Sequence, residues 1–248
     1  MNRVIILLLG AIFLLGINGA FQSNDKPDTI HYVSFNRAIQ LGHYEGVTSI
    51  RELLHHGDFG LGSEEKLLSE LIIVDGVPYG TRADGNSLVL SDDIFIPFAA
   101  VKFFKADTTF HIQSPCTFKK LKALLDSVIG RNTFAAIRID GNFSSMHYRS
   151  FYKQEKPFKP LEDAMAKIFM REEVQGTLIG FLTPRSAEVL NSPGYHFHWL
   201  SADKATGGHV LSLTLSEAKV QVDLSKELSI ELPDKGSLAN IDLDKKPL

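Results

Sequence analysis

The chain has 248 residues, a formal net charge of −3, 44% hydrophobic residues and a single cysteine. That length suits one large domain or two packed ones, and a near-neutral charge with no basic stripe gives nucleic acid nothing to bind. Cys116 has no partner for an internal disulfide, so the core must hold the fold without staples.

Met1-Asn2-Arg3 leads into an apolar run from Val4 to Ile17, which ends in Asn18-Gly19-Ala20. One positive charge, a short apolar stretch and a small residue before a polar segment predict a secretory signal peptide cleaved after Ala20. The run is short for a membrane span, although an uncleaved anchor is the other reading. No cysteine follows it to carry a lipid, and the mature protein is expected to be secreted or periplasmic. Residues 21–30 read as a polar leader.

From His31 to Phe35 the pattern suits a strand, and Asn36 to Leu41 a brief helix. Thr48 to His55 predicts a helix with Thr48 as N-cap and Gly57 beyond its end. Asp58-Phe-Gly-Leu-Gly-Ser63 reads as a glycine-punctuated loop near a ligand. Leu68 to Val74 is an apolar strand that carries one carboxylate, Glu70, on the face shared by Ile72 and Val74, and Asp75-Gly76 supplies a tight turn. Glu70 either lies at the exposed start of that strand or is buried with a task. Ser87 to Leu90 and Ile94 to Lys105 read as strands, and Thr117 to Ile129 as a helix with Leu121, Leu124, Leu125 and Val128 inward. Phe134 to Gly141 is an apolar strand in which Arg138 stands between Ile137 and Ile139. Such a guanidinium needs a carboxylate, from Asp140, another acid or a substrate. Pro160 to Met170 is expected to be helical, with Leu161, Met165, Ile168 and Phe169 inward. Gly176 to Thr183, Lys219 to Asp223 and Leu228 to Leu232 complete the strands. The fold class is α+β: two closely packed subdomains rich in antiparallel strands, divided as 31–150 and 151–248.

The chemistry concentrates in Gly194-Tyr-His-Phe-His-Trp-Leu200 and Gly207-Gly-His-Val-Leu211. Alternation along a strand puts His196 and His198 on one face and Tyr195, Phe197 and Trp199 on the other. If residues 201–206 fold the chain back so that Leu200 meets Gly207, His198 stands opposite His209 and the three imidazoles share a face. Three neutral imidazoles with no fourth protein ligand nearby suit Zn²⁺ or another first-row divalent ion with an open position. The other reading is ordinary strand histidines in a polar layer.

These residues resemble the α-acetolactate decarboxylase family. Pro193 to His198 with Gly207 to Leu211 looks like its metal motif. The segments 56–62, 69–76, 97–104 and 134–141 look like further blocks of that family, in its order. The resemblance covers roughly Val33 to Leu232. It implies a zinc lyase that converts (S)-2-acetolactate to (R)-acetoin and CO2, with a homodimer as its assembly. Residue by residue it implies His196, His198 and His209 as metal ligands, Glu70 as an active-site carboxylate, Arg138 as the substrate-contacting arginine, and Ser63 where the family often has threonine. The chain departs from the family pattern after Ser63, where Glu64 stands instead of an aromatic residue. Family members also use a second glutamate from the C-terminal tail. Glu231 falls too early for that role, and Asp242 or Asp244 would serve only if the tail folds back. Two readings compete: a cupin-like iron oxygenase, which would carry a glutamate near Ala202, and a secreted binding domain that has lost catalysis.

Overall fold

The computed structural model describes residues 27–130, 132–233, 238 and 241–245. The expected signal segment and residues 21–26 of the leader lie outside them. The described residues up to Lys102 contain β1 (Thr29–Val33), helix α1 (Asn36–Gln40), β2 (Thr48–Ser49), helix α2 (Ile50–Leu53), β3 (Phe59–Ser63), β4 (Glu70–Val74), β5 (Val77–Thr81), β6 (Ser87–Val89), β7 (Phe95–Ile96) and β8 (Phe98–Lys102). The remainder contains β9 (Thr108–Ile112), β10 (Cys116–Thr117), helix α3 (Phe118–Ile129), β11 (Phe134–Phe151), β12 (Ala166–Thr183), β13 (Gly194–Ser201), β14 (Gly207–Ser225) and β15 (Glu227–Glu231).

Two sheets form. The first runs β15-β1-β8-β3-β4-β5-β6, antiparallel except for β15, which lies parallel to β1. In the second, β14, β11, β12 and β13 pair in that order, and β13 pairs back onto β14, so the four strands close a ring. β9 and β10 add to β14.

Alternation along β4 explains the layering. Leu71 and Ile73 pack with Ile50 and Leu53 of α2 on the outer face of the first sheet. Ile72 and Val74 point the other way and join Phe59, Leu61, Ile179, Phe181 and Leu200 in the core between the sheets. The second sheet wraps a third core, in which Trp199, Tyr148 and Phe143 pack against α3. Thr117 caps α3 by accepting a hydrogen bond from Lys120 N–H. Leu121, Leu125 and Ile129 face inward from α3, while Leu124 and Val128 stay exposed.

Four expectations are corrected. Residues 59–63 are strand β3, not loop, sandwiched between β4 and β8. Its glycines allow a close approach, since a Cβ on Gly62 would sit 2.2 Å from the Phe98 carbonyl oxygen. Pro160 to Met170 is not a helix but a 3-10 turn at Leu161–Asp163 followed by β12. Ladder pairing with β11 overrides the helical spacing, and Met165 and Ile168 are exposed rather than inward. The second helix is the short α2, capped by Ser49 rather than Thr48. The division at 150 also fails, because β11 belongs wholly with β12 and β14 while β15 returns to the first sheet.

Lys102 joins the sheets. Its buried ammonium, on β8, bonds Ser225 Oγ at 2.7 Å and the Asp223 carboxylate at 3.2 Å on β14, and also meets Asp28. Removing that cation strands a buried carboxylate, so Lys102→Met is expected to cost about 3–5 kcal/mol, read from the midpoint of urea unfolding.

Candidate metal centre

The hairpin forms with the expected register: Leu200 pairs with Gly207 and His198 with His209. The three imidazoles bring ligand nitrogens within 4.8 Å of one another. Hydrogen bonds fix which nitrogen His196 and His198 present. His198 Nδ1 lies 2.9 Å from the Leu71 carbonyl oxygen, which can only accept, so Nδ1 carries the proton and Nε2 is free to ligate. His196 Nδ1 lies 2.8 Å from Asn191 Oδ1, and its Nε2 stands 3.1 Å from His209 Nδ1. Two nitrogens each ~2.0–2.1 Å from a tetrahedral ion would be about 3.3 Å apart, so the spacing suits a shared metal.

Burial favours the form that ligates. It pushes all three histidines below their ordinary range, His198 to about 4 and His196 and His209 well below that range, with the Arg149 guanidinium adding to the effect in each, neighbouring rings adding for His196 and His209, and the Leu71 carbonyl opposing it for His198. Each ring is therefore neutral at pH 7, as a metal ligand must be.

β3 and β4 supply the facing wall. Glu70 and Ser63 are direct cross-strand partners on the face turned toward the second sheet. Glu70 Oε2 lies 3.6 Å from His198 Nε2. Burial raises the Glu70 carboxyl to about 7, against the opposing pull of Arg149. Ser63 Oγ is buried without a hydrogen-bond partner among the described residues. The cavity in front of these groups has a volume of about 150 Å³ and is walled by Ile39, Leu67, Phe98, Phe151 and Leu161. It suits a small substrate rather than a polymer.

The arginine at this cavity is Arg149, not Arg138. Arg149 pairs with His209 across β11 and β14, stacks over the Phe151 ring at 4.5 Å, and keeps its buried Nε without a partner among the described residues. Arg138 lies eleven residues away on β11, roughly 35 Å at ~3.3 Å per residue. There it is held by Asp75 at 2.6 Å and Asp140 at 2.8 Å, beside a separate open groove of about 560 Å³. Its place between two isoleucines is explained by these carboxylates. None of the tail acids considered above reaches the cavity either: Glu231 faces His31 at 3.5 Å, and Asp242 and Asp244 are exposed. The tail does fold back, its Leu243 and Lys245 carbonyls accepting from Arg37 of α1. Among the described residues that line the cavity, Glu70 is the one carboxylate.

The sequence profile of the α-acetolactate decarboxylase family matches residues 30–245. The chain belongs to the α-acetolactate decarboxylase family. It is 38% identical to the α-acetolactate decarboxylase of Methanosarcina mazei over 224 residues, covering 89% of this chain and 78% of that protein. It is 34% identical to the one from Bacillus subtilis, covering 90% and 89%. The crystal structure of the B. subtilis protein superposes with a TM-score of 0.85, covering 88% of this chain and 94% of that one. The family fold, shared over nearly the whole described chain, displaces the cupin-like reading.

Proposed function

We propose that this chain decarboxylates (S)-2-acetolactate to (R)-acetoin and CO2 with a zinc ion on His196, His198 and His209. The observation that carries the reading is one cavity that joins three neutral imidazoles, an unpartnered buried guanidinium nitrogen and a carboxyl raised to about 7. Membership of a family whose relatives bear that activity in their names supports it.

The substrate is an anion, and Arg149 is the permanent cation facing neutral histidines, so it draws the substrate in and orients its oxygens. Loss of CO2 breaks the bond from the carboxylate carbon to the hydroxyl-bearing carbon and leaves the electron pair delocalised onto the former ketone as an enediolate. A zinc ion would supply Lewis acidity toward the hydroxyl and carbonyl oxygens where that charge develops. Arg149 adds a fixed positive charge in a water-poor site, where such stabilisation is strongest. Ser63 Oγ, with no partner of its own, is placed to donate a hydrogen bond to a substrate oxygen. Burial raises the Glu70 carboxyl to about 7, so near neutral pH it exchanges a proton readily, and in its protonated form it delivers that proton to the carbon that lost CO2. Delivery from the β4 side alone sets the hand of the product. Ile39, Leu67 and Phe98 take the methyl groups and exclude water.

The test is acetoin release from racemic acetolactate by purified mature protein loaded with one zinc per chain. Acetoin should form well above the spontaneous rate and consume half of the racemate in a fast phase. No acetoin above that rate would sink the reading. Glu70→Gln keeps the shape of the side chain but not its proton and is expected to lower kcat by about 10²-fold while zinc content stays at one per chain. Export of the mature protein and pairing of two chains belong to the same proposal, to be read from its compartment and from its mass in solution.

A further inference from the structure

His196 must present Nε2, and only Nε2, to an ion shared with His198 and His209; we infer that Asn191 is the positioning residue that imposes this. The inference rests on the metal-centre reading above and concerns a residue outside the ligand set. Asn191 is fully buried and lies five residues before His196 in the loop between β12 and β13. An asparagine amide offers an oxygen on one side and a nitrogen on the other, and the backbone decides which faces the ring. Ser192 N–H donates to Asn191 Oδ1 at 2.8 Å, so the atom there accepts. The same oxygen lies 2.8 Å from His196 Nδ1, which must therefore carry the proton. The Nε2 lone pair is then left facing His209 Nδ1.

The loop is itself held in place. Asn36 N–H and Arg37 N–H, at the start of α1, donate to the carbonyls of Leu190 and Val189 at 3.2 Å each, and Asn36 Nδ2 donates to Ser192 Oγ at 3.2 Å. α1 also lines the cavity through Asn36, Ile39 and Gln40. Asn191 thus sets the ring from a platform shared with the substrate wall. The Leu71 carbonyl does the same for His198, but as backbone it is not open to substitution.

The tautomer is read in metal-free protein at pH 7 from the ¹⁵N shifts and long-range couplings of the histidine rings. His196 should show protonated Nδ1 and unprotonated Nε2. Zinc affinity is measured by competition with a chromogenic chelator. Asn191→Leu, similar in shape but unable to accept, should weaken zinc by about 10–100-fold. Asn191→Asp, which keeps the acceptor, should stay within a few-fold of the parent. A protonated Nε2 in the parent protein, or equal weakening by both variants, would overturn the assignment. If Asn191→Leu does not fold, the parent tautomer and the aspartate variant still decide. A parent protein that binds no zinc would refute the metal-centre reading, and the tautomer would still test Asn191 separately.

Discussion

Arg149→Met should lower kcat/KM for acetolactate by about 10²–10³-fold, with zinc content unchanged, whereas Arg138→Met should leave kcat/KM at the parent value. The two arginines share one strand and differ in what faces them. Arg149 Nε is buried at the cavity without a partner among the described residues, so its charge is available to a bound anion. Arg138 already meets Asp75 and Asp140 in a half-exposed pair, and its loss should cost at most about 1 kcal/mol of stability. Steady-state kinetics on both variants, beside urea unfolding, separates the roles. Equal kinetic loss in both would refute the assignment of Arg149.

His198→Ala should release the zinc and bring acetoin formation down to the spontaneous rate, because two imidazoles alone make a poor site for the ion. Chelation of the parent should have the same effect, reversed by stoichiometric zinc. The metal-free protein should also lose stability in acid. His198 titrates near 4 in the fold against 6.5 unfolded, so the stability from its neutral form is complete above pH 6.5 and is lost as pH falls through about 4. That shift alone amounts to about 3 kcal/mol, and His196 and His209 act in the same direction. Thermal melts of chelated protein from pH 7.5 to 4 should decline steeply across that window, while zinc-loaded protein holds its melting temperature to lower pH. A flat profile for the chelated protein would count against buried neutral rings.

The histidine site was legible because a strand's period is two and because six residues close a hairpin with Leu200 opposite Gly207. Glu70 was legible as a charge on an otherwise apolar face. Arg149 was not, for a physical reason. Arg138 sits between two isoleucines and draws the eye, while Arg149 sits in His147-Tyr-Arg-Ser150, a stretch with no local signal. Only the pairing of β11 with β14, across bulges near Phe143 and His147, brings it beside His209. A strand ended at Gly141 stops eight residues short of it. Residues 160–170 show the converse. Their apolar spacing fits a helix, but Ile168 and Phe169 have strand preference, and the long partner β11 settles the choice. Asn191 carries no signal in sequence at all, since its role depends on a ring five residues away.

The pairing of β15 with β1 also shapes how the chain acquires its structure. Thr29 and Glu227, 198 residues apart, are neighbours in that ladder, and their side chains hydrogen-bond. While the protein is being synthesised, the outer edge of β1 has no partner until β15, some 198 residues later, has left the ribosome. The wall that carries Glu70 and the hairpin that carries the histidines are likewise made more than a hundred residues apart. Contacts of such long range close slowly, so native structure should arrive late and in one cooperative step rather than half by half.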